Sequence, residues 1–319
     1  MRKWKQLLAG AGLLTALTAI PSYAAGWQWM DPNNDGISEC YYFTDDGTML
    51  TQTTTPDGYT VNEQGAWIIN GAVQTQEVKT QGVKSISSSP SSLDRHTAKT
   101  SQLNAFEYLL YTPRQAAENM PLIVFLHGHG TGELKNLKKD RYLTALCQEA
   151  EKQSGAYILA PLLPPELDYG AKGMFPGIEP SIMELIDSTA ATYKIDRNRI
   201  YLIGCSMGAD SSIQIAAAHP DTFACVVGAV PFHYQCPIAK WEDSWGEALK
   251  STPVWLFVED EGSAKRKATA AADAIIAAGG QAWTEVLTGT DHGQATTRIA
   301  ASMGTSQYGI YNWMLSVSQ

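Results

Sequence analysis

From Asn104 onward the chain alternates short, wholly apolar runs with longer amphipathic stretches, and this alternation restricts it to one class of fold more tightly than any other feature. The run Leu122, Ile123, Val124, Phe125, Leu126 carries no polar residue at either parity, which is what burial on both faces of a parallel sheet requires. Strands are expected at Phe106–Thr112, Leu122–Leu126, Ala156–Pro161, Arg199–Cys205, Phe223–Val230, Val254–Val258 and Gln281–Leu287. Helices are expected near Lys138–Lys152, Pro180–Tyr193, Met207–Ala218, Ser263–Ala278 and Met303–Leu315. Strand and helix in turn over residues 104–319 predict one α/β domain, a mostly parallel sheet with helices on both faces.

Three different segments precede it. In residues 1–24, Arg2, Lys3 and Lys5 lead into the uncharged run Leu7–Ile20, and Ser22, Tyr23 and Ala24 place small residues before a cut at Ala25. That is the pattern of an export signal, and the run is shorter than the ~18 residues that span a bilayer. The mature protein is therefore expected to be secreted, with no transmembrane segment. In residues 25–72, the runs Cys40–Phe43 and Tyr59–Val61 are split by the turn pairs Asp46-Gly47, Asp57-Gly58 and Gln64-Gly65, spaced for successive β-hairpins. The pattern Tyr42-Phe43-x-x-x-Gly47 returns as Tyr59-x-Val61-x-x-x-Gly65. This small module resembles the cell-wall-binding repeats of the choline-binding type, a resemblance of barely two repeats. It implies that Trp27, Trp29, Tyr42 and Trp67 form a cage for a quaternary ammonium, or serve only to staple the hairpins together. Asp31–Gly36 fits the first half of a calcium loop, but Tyr42 stands where the closing Glu belongs, so a turn is the better account. Residues 73–103 hold eleven Ser/Thr and no Phe, Trp or Tyr, and are expected to be a flexible linker.

Composition removes other partners. With 23 Lys and Arg against 32 Asp and Glu, the net charge is −9, and loss of the signal makes it more negative. Such a field repels a polyanion, which excludes nucleic acid. Five cysteines are too few and scattered for a disulfide framework; Cys205 and Cys225 lie in apolar runs and are expected to be buried and not catalytic, while pairing of Cys147 with Cys236 stays open.

The chemistry lies at Gly204-Cys205-Ser206-Met207-Gly208, a Gly-x-Ser-x-Gly sequence between an expected strand and an expected helix. A tight strand-to-helix turn lifts a serine hydroxyl above the sheet edge and aims the helix N-terminus at it. A serine needs a base, and only His292 follows the last strand, in the Gly-rich loop Thr288–Gly293. His219 runs into Pro220 and caps a helix end. The acid should follow Val254–Val258, where Glu259, Asp260 and Glu261 stand in a row; Asp260 is favoured for its short side chain, then Glu261, then Glu259. The loop His127-Gly128-His129-Gly130 can offer the amide of His129, with that of Met207, to an oxyanion. Two histidines without a Cys or carboxylate nearby make a poor metal site, and neither metal nor cofactor is expected. Tyr169, Phe175, Phe232, His233, Tyr234, Trp241 and Trp245 follow strands at the same edge, as substrate contacts or as a small packed cap.

Phe125–Gly130, Ile200–Gly208 and Thr290–Gly293 resemble the α/β-hydrolase family, and in particular secreted esterases similar to the polyhydroxybutyrate-depolymerase, feruloyl-esterase and dienelactone-hydrolase groups. The resemblance implies hydrolysis of a carboxylic ester, free or attached to a polysaccharide, through an acyl-enzyme, without a cofactor. An amidase or peptidase with the same triad, or an inactive wall-binding protein, are the alternatives.

Overall fold

The structure is a computed structural model that describes residues 26–30, 37–44, 48–69, 71–77, 92–153, 155–167, 174–260, 262–304 and 309–319. The expected export signal, the turn at Asp31–Gly36, and the residues Tyr169 and Glu261 lie outside these. The chain divides into two compact units, Met1–Gly82 and Val83–Gln319.

In the first unit, β1 (Gly26–Met30), β2 (Ile37–Phe43) and β7 (Thr75–Glu77) form an antiparallel sheet. A second antiparallel sheet runs β3 (Thr53–Thr54), β4 (Thr60–Val61), β5 (Trp67–Ile69), β6 (Ala72–Val73) in order. Tyr41 and Phe43 of β2 form a small buried core with Ala66, and Met49 packs on them. Three glycines sit at positive φ in the turns of the second sheet, Gly58, Gly65 and Gly71. The hairpins fall where the turn pairs Asp57-Gly58 and Gln64-Gly65 place them.

The second unit is built on an eight-stranded sheet: β8 (Ser92–Ala98), β9 (Phe106–Thr112), β10 (Leu122–Leu126), β11 (Tyr157–Pro161), β12 (Ile200–Cys205), β13 (Cys225–Ala229), β14 (Val254–Glu259) and β15 (Ala282–Leu287). Their spatial order is β15-β14-β13-β12-β10-β11-β9-β8, parallel except where β9 pairs antiparallel with β11 and β8. The helices are α1 (Leu134–Leu137), α2 (Arg141–Gln153), α3 (Met174–Gly177), α4 (Glu179–Tyr193), α5 (Met207–Ala218), α6 (Ser244–Ala248), α7 (Gly262–Ala277), α8 (His292–Ala301) and α9 (Ile310–Ser316).

Strand parity sorts them into two layers. Leu122, Val124, Leu126, Leu202, Val226 and Leu256 pack with α4, α5 and α7 on one face. Ile123, Phe125, Tyr201, Ile203, Trp255 and Phe257 pack with α2, α8 and α9 on the other. Two period-2 sets of apolar residues on the same strands are what a doubly covered sheet demands.

Three expectations are corrected here. The segment 73–103 is not linker throughout: Thr75–Glu77 pairs with β2, and Ser92–Ala98 is the edge strand β8, in register with all of β9. Ladder hydrogen bonds need no apolar side chains, and an edge strand exposed on one side can be rich in Ser and Thr. His96 stacks on Tyr108 at 5.2 Å and Arg95 pairs with Glu107 to secure it. The helix expected over Met303–Leu315 is α9 alone, and His292 stands not in a loop but at the first position of α8. Gly309, at φ 56°, caps the start of α9, so no helix runs through it.

Candidate active site

The end of β12 meets the start of α5 at Ser206, which holds φ 54° and ψ −119°, a conformation rare for any residue but glycine. Backbone strain of this kind persists only where the surroundings impose it. Here the two flanking glycines allow the crowding: a Cβ on Gly204 would stand 2.0 Å from the carbonyl oxygen of Gly208, and one on Gly208 would stand 1.9 Å from that of Leu126. The amide of Ser206 donates to the carbonyl of Ala229 at 2.8 Å, pinning the turn to β13. Although Ser206 occupies the N-cap position of α5, its hydroxyl does not cap the helix. It points instead to His292 Nε2, at 2.9 Å.

His292 opens α8. Asp291 and Gln294 build a reciprocal capping box there, the Asp291 carboxylate accepting from the Gln294 amide at 2.8 Å. This fixes the first turn and with it the imidazole. Nδ1 faces Glu259 Oε1 at 3.3 Å. Because a carboxylate can only accept, Nδ1 carries the proton and Nε2 is left to accept from Ser206. Glu259 is buried, its side chain 2 % exposed. Burial pushes its carboxyl up, but hydrogen bonds from His292 and from the backbone, with the nearby charge of His292 and His233, outweigh that and hold it below the usual carboxylate range.

The favoured acid is therefore corrected. Asp260 pairs with Lys265 at 2.9 Å, at the surface, and Glu259 is the carboxylate that meets the histidine. Parity is the reason. Trp255 and Phe257 face the α8 layer, and Glu259 continues that alternation, whereas Asp260 falls past the strand end.

The loop after β10 lies against the turn, since a Cβ on Gly128 would come within 3.6 Å of Ser206 Cβ. His127, fully buried, bonds through both ring nitrogens: Nδ1 with the carbonyl of Gly128 at 2.7 Å, and Nε2 accepting from the Leu163 amide at 3.0 Å. It is a strut of that loop and has no nitrogen to spare for a metal. His129 is exposed, and Met207 is the first residue of α5, whose amide has no partner within the helix. Among the described residues no cluster of three or more His, Cys, Asp or Glu could hold a metal ion.

Of the expected substrate contacts, His233 is brought to the site. Its ring lies 4.3 Å from that of His292, and Tyr234, 72 % exposed, lies tilted against it at 4.6 Å. Trp241 goes elsewhere: it meets Trp245 edge to face at 5.7 Å, against the core. Phe175 and Phe232 are buried, and Phe175 packs on His127. His219 ends α5 and pairs with Glu179. All five cysteines are unpaired, and burial pushes the Cys205 thiol, next to Ser206, up to about 12.

In the first unit, Trp27 touches Tyr42 at 5.2 Å, Tyr59 at 5.8 Å and Trp67 at 5.6 Å, and Tyr59 touches Trp67 at 5.4 Å. The Trp27 indole donates to Asp57 at 2.7 Å. Trp27, Tyr59 and Trp67 are in mutual contact, and Trp27 meets Tyr42 and Tyr59 edge to face. Tyr59 was absent from the expected set, and the side chain of Trp29 lies outside those described.

Comparison with known proteins agrees with this architecture. Residues 28–67 match the "Choline-binding repeat" family, residues 106–234 the "Esterase PHB depolymerase" family and residues 180–308 the "Putative esterase" family. No curated protein matches the chain. Among solved structures it is similar to a thermostable esterase (20% identity, 71% of this chain and 63% of that one, TM-score 0.59) and to a ferulic acid esterase (14%, 66% and 96%, 0.52). A fluorophosphonate-binding serine hydrolase of Staphylococcus aureus is similar as well (15%, 71% and 99%, TM-score 0.50). The chain thus spans less than two thirds of the thermostable esterase. At these identities the likeness is one of fold, that of the α/β-hydrolases.

Proposed function

We propose that this chain, an α/β-hydrolase-fold protein with esterase-family sequence over residues 106–234 and 180–308, is a secreted serine esterase that uses Ser206, His292 and Glu259 and is held at the cell surface by its N-terminal repeats. The observation that carries the catalytic part is the continuous relay from Ser206 Oγ through both nitrogens of His292 to Glu259. His292 takes the serine proton as the hydroxyl attacks the ester carbonyl. Glu259, ionised, stabilises the imidazolium that results, and the same proton then passes to the leaving alcohol. The amides of Met207 and His129 are the proposed donors to the oxyanion, aided by the N-terminus of α5. Water repeats the sequence to release the acid. Tyr234, exposed beside His233, is the proposed contact for the substrate's acyl or alcohol part.

Export rests on the charged and apolar pattern of residues 1–24, and attachment on the repeats. Because Trp27, Tyr59 and Trp67 are in mutual contact, the proposed surface contact is through their outer faces, Tyr59 being 47 % exposed, and not through an ammonium group held between those three. Turnover of a simple aryl ester tests the catalytic part. The wild-type protein hydrolyses it, and Ser206→Ala and His292→Ala each lose activity by several orders of magnitude, the double variant losing little more. Equal rates for all four proteins would refute the assignment.

A further inference from the structure

Resting on that reading, we infer that Asp210 is a positioning residue for the reaction: its buried carboxyl clamps the strained loop that lays His233 on the ring of His292. Asp210 stands one turn into α5 from Ser206 and is 2 % exposed. A carboxyl so deep in the domain is costly unless it does something for its neighbours. What it does is accept the amide of Phe232 through Oδ1, at 2.9 Å. Phe232 holds φ 63° and Val230 holds φ 53°, left-handed conformations that a β-branched valine and a bulky phenylalanine avoid when free. Two such residues in three positions reverse the chain sharply after β13, and the next residue is His233, whose ring sits 4.3 Å from His292. The loop closes at Cys236, whose amide donates to the His233 carbonyl at 2.9 Å and whose thiol neighbours the same Asp210 carboxyl.

The consequence is mechanical. The His233 ring packs against the His292 imidazole, tilted 46° with the centroids 4.3 Å apart, so the His292 ring is hindered from turning away from the line between Ser206 and Glu259. Asp210 touches neither substrate nor the reacting atoms and acts only through the loop. Burial pushes its carboxyl up to about 7, against the pull of the Phe232 amide, Cys236, Lys267 and His292. A neutral acid suffices for the clamp, because the accepting oxygen is present in either form.

The test compares wild type, Asp210→Asn, Asp210→Leu, His233→Ala and the double variant Asp210→Leu/His233→Ala. The asparagine keeps an accepting oxygen and is expected to retain kcat within about threefold; the leucine loses at least tenfold in kcat with KM within about threefold. In the His233→Ala background the leucine is expected to cost no more than about twofold further, since the clamp has nothing left to hold. A readout independent of turnover is the proton signal of the His292 ring, shifted by the current of His233: Asp210→Leu moves it to its position in His233→Ala, and Asp210→Asn leaves it in place. Asp210→Ser, too short to reach the Phe232 amide, serves if the leucine variant does not fold. The inference is overturned if the ring signal stays at its wild-type position in Asp210→Leu or Asp210→Ser, or if the losses multiply in the double variant. Absence of turnover in the wild type would refute the esterase reading and leave the ring signal to decide on the clamp.

Discussion

At the residue scale, the site depends on which of three consecutive acids belongs to the strand. Glu259 is the last residue of β14 and shares the parity of Trp255 and Phe257, so it faces the layer where α8 begins; Asp260, one step on, reaches only Lys265. Glu259→Gln is therefore expected to lower kcat by about 10³- to 10⁴-fold, the scale set by loss of a triad acid. Asp260→Asn, which removes a surface ion pair, stays within about twofold. Steady-state kinetics on one aryl ester decide it, and the reverse order would contradict the geometry. Ser206 and His292 were legible from the motif and from chain order, because the elbow's two glycines and a histidine beyond the last strand leave few alternatives. The acid was not, because three carboxylates in a row give composition no purchase and only strand parity separates them.

At the element scale, the central strands were legible because burial on both faces writes itself as an unbroken apolar run, as in β10. The edge strand β8 was hidden because its fitness lies in its backbone: it gives one side to β9 and the other to solvent, and Ser and Thr serve as well there as Val. α8 was missed because the glycines of Thr288–Gly293 read as loop, although Asp291-x-x-Gln294 carries the capping-box signature of a helix start. The strand has a consequence for dissection. A chain of residues 83–319 retains β8, and is expected to fold with the wild-type melting temperature of this unit. A chain of residues 104–319 uncovers the length of β9, and is expected to melt several degrees lower and to aggregate. Thermal denaturation of the two checks this; equal melting temperatures would mean that β8 contributes nothing.

At the scale of the molecule, an α/β-hydrolase-fold unit and an aromatic repeat module are joined in one chain, and among the described residues no helix is long and apolar enough to cross a membrane. The proposed retention at a cell surface lies with the repeats. The full chain is expected to sediment with cell walls while residues 83–319 stay in solution with unchanged aryl-ester turnover, and free choline is expected not to release the full chain, because Trp27, Tyr59 and Trp67 are in mutual contact. Release by choline would show that the rings part to admit it. The account stands first on Ser206 being an activated nucleophile. The direct measurement is reaction with a fluorophosphonate followed by mapping of the labelled peptide: one label is expected, on Ser206, absent from Ser206→Ala and strongly slowed in His292→Ala. A wild-type protein that takes up no label, or takes it elsewhere, would contradict the account.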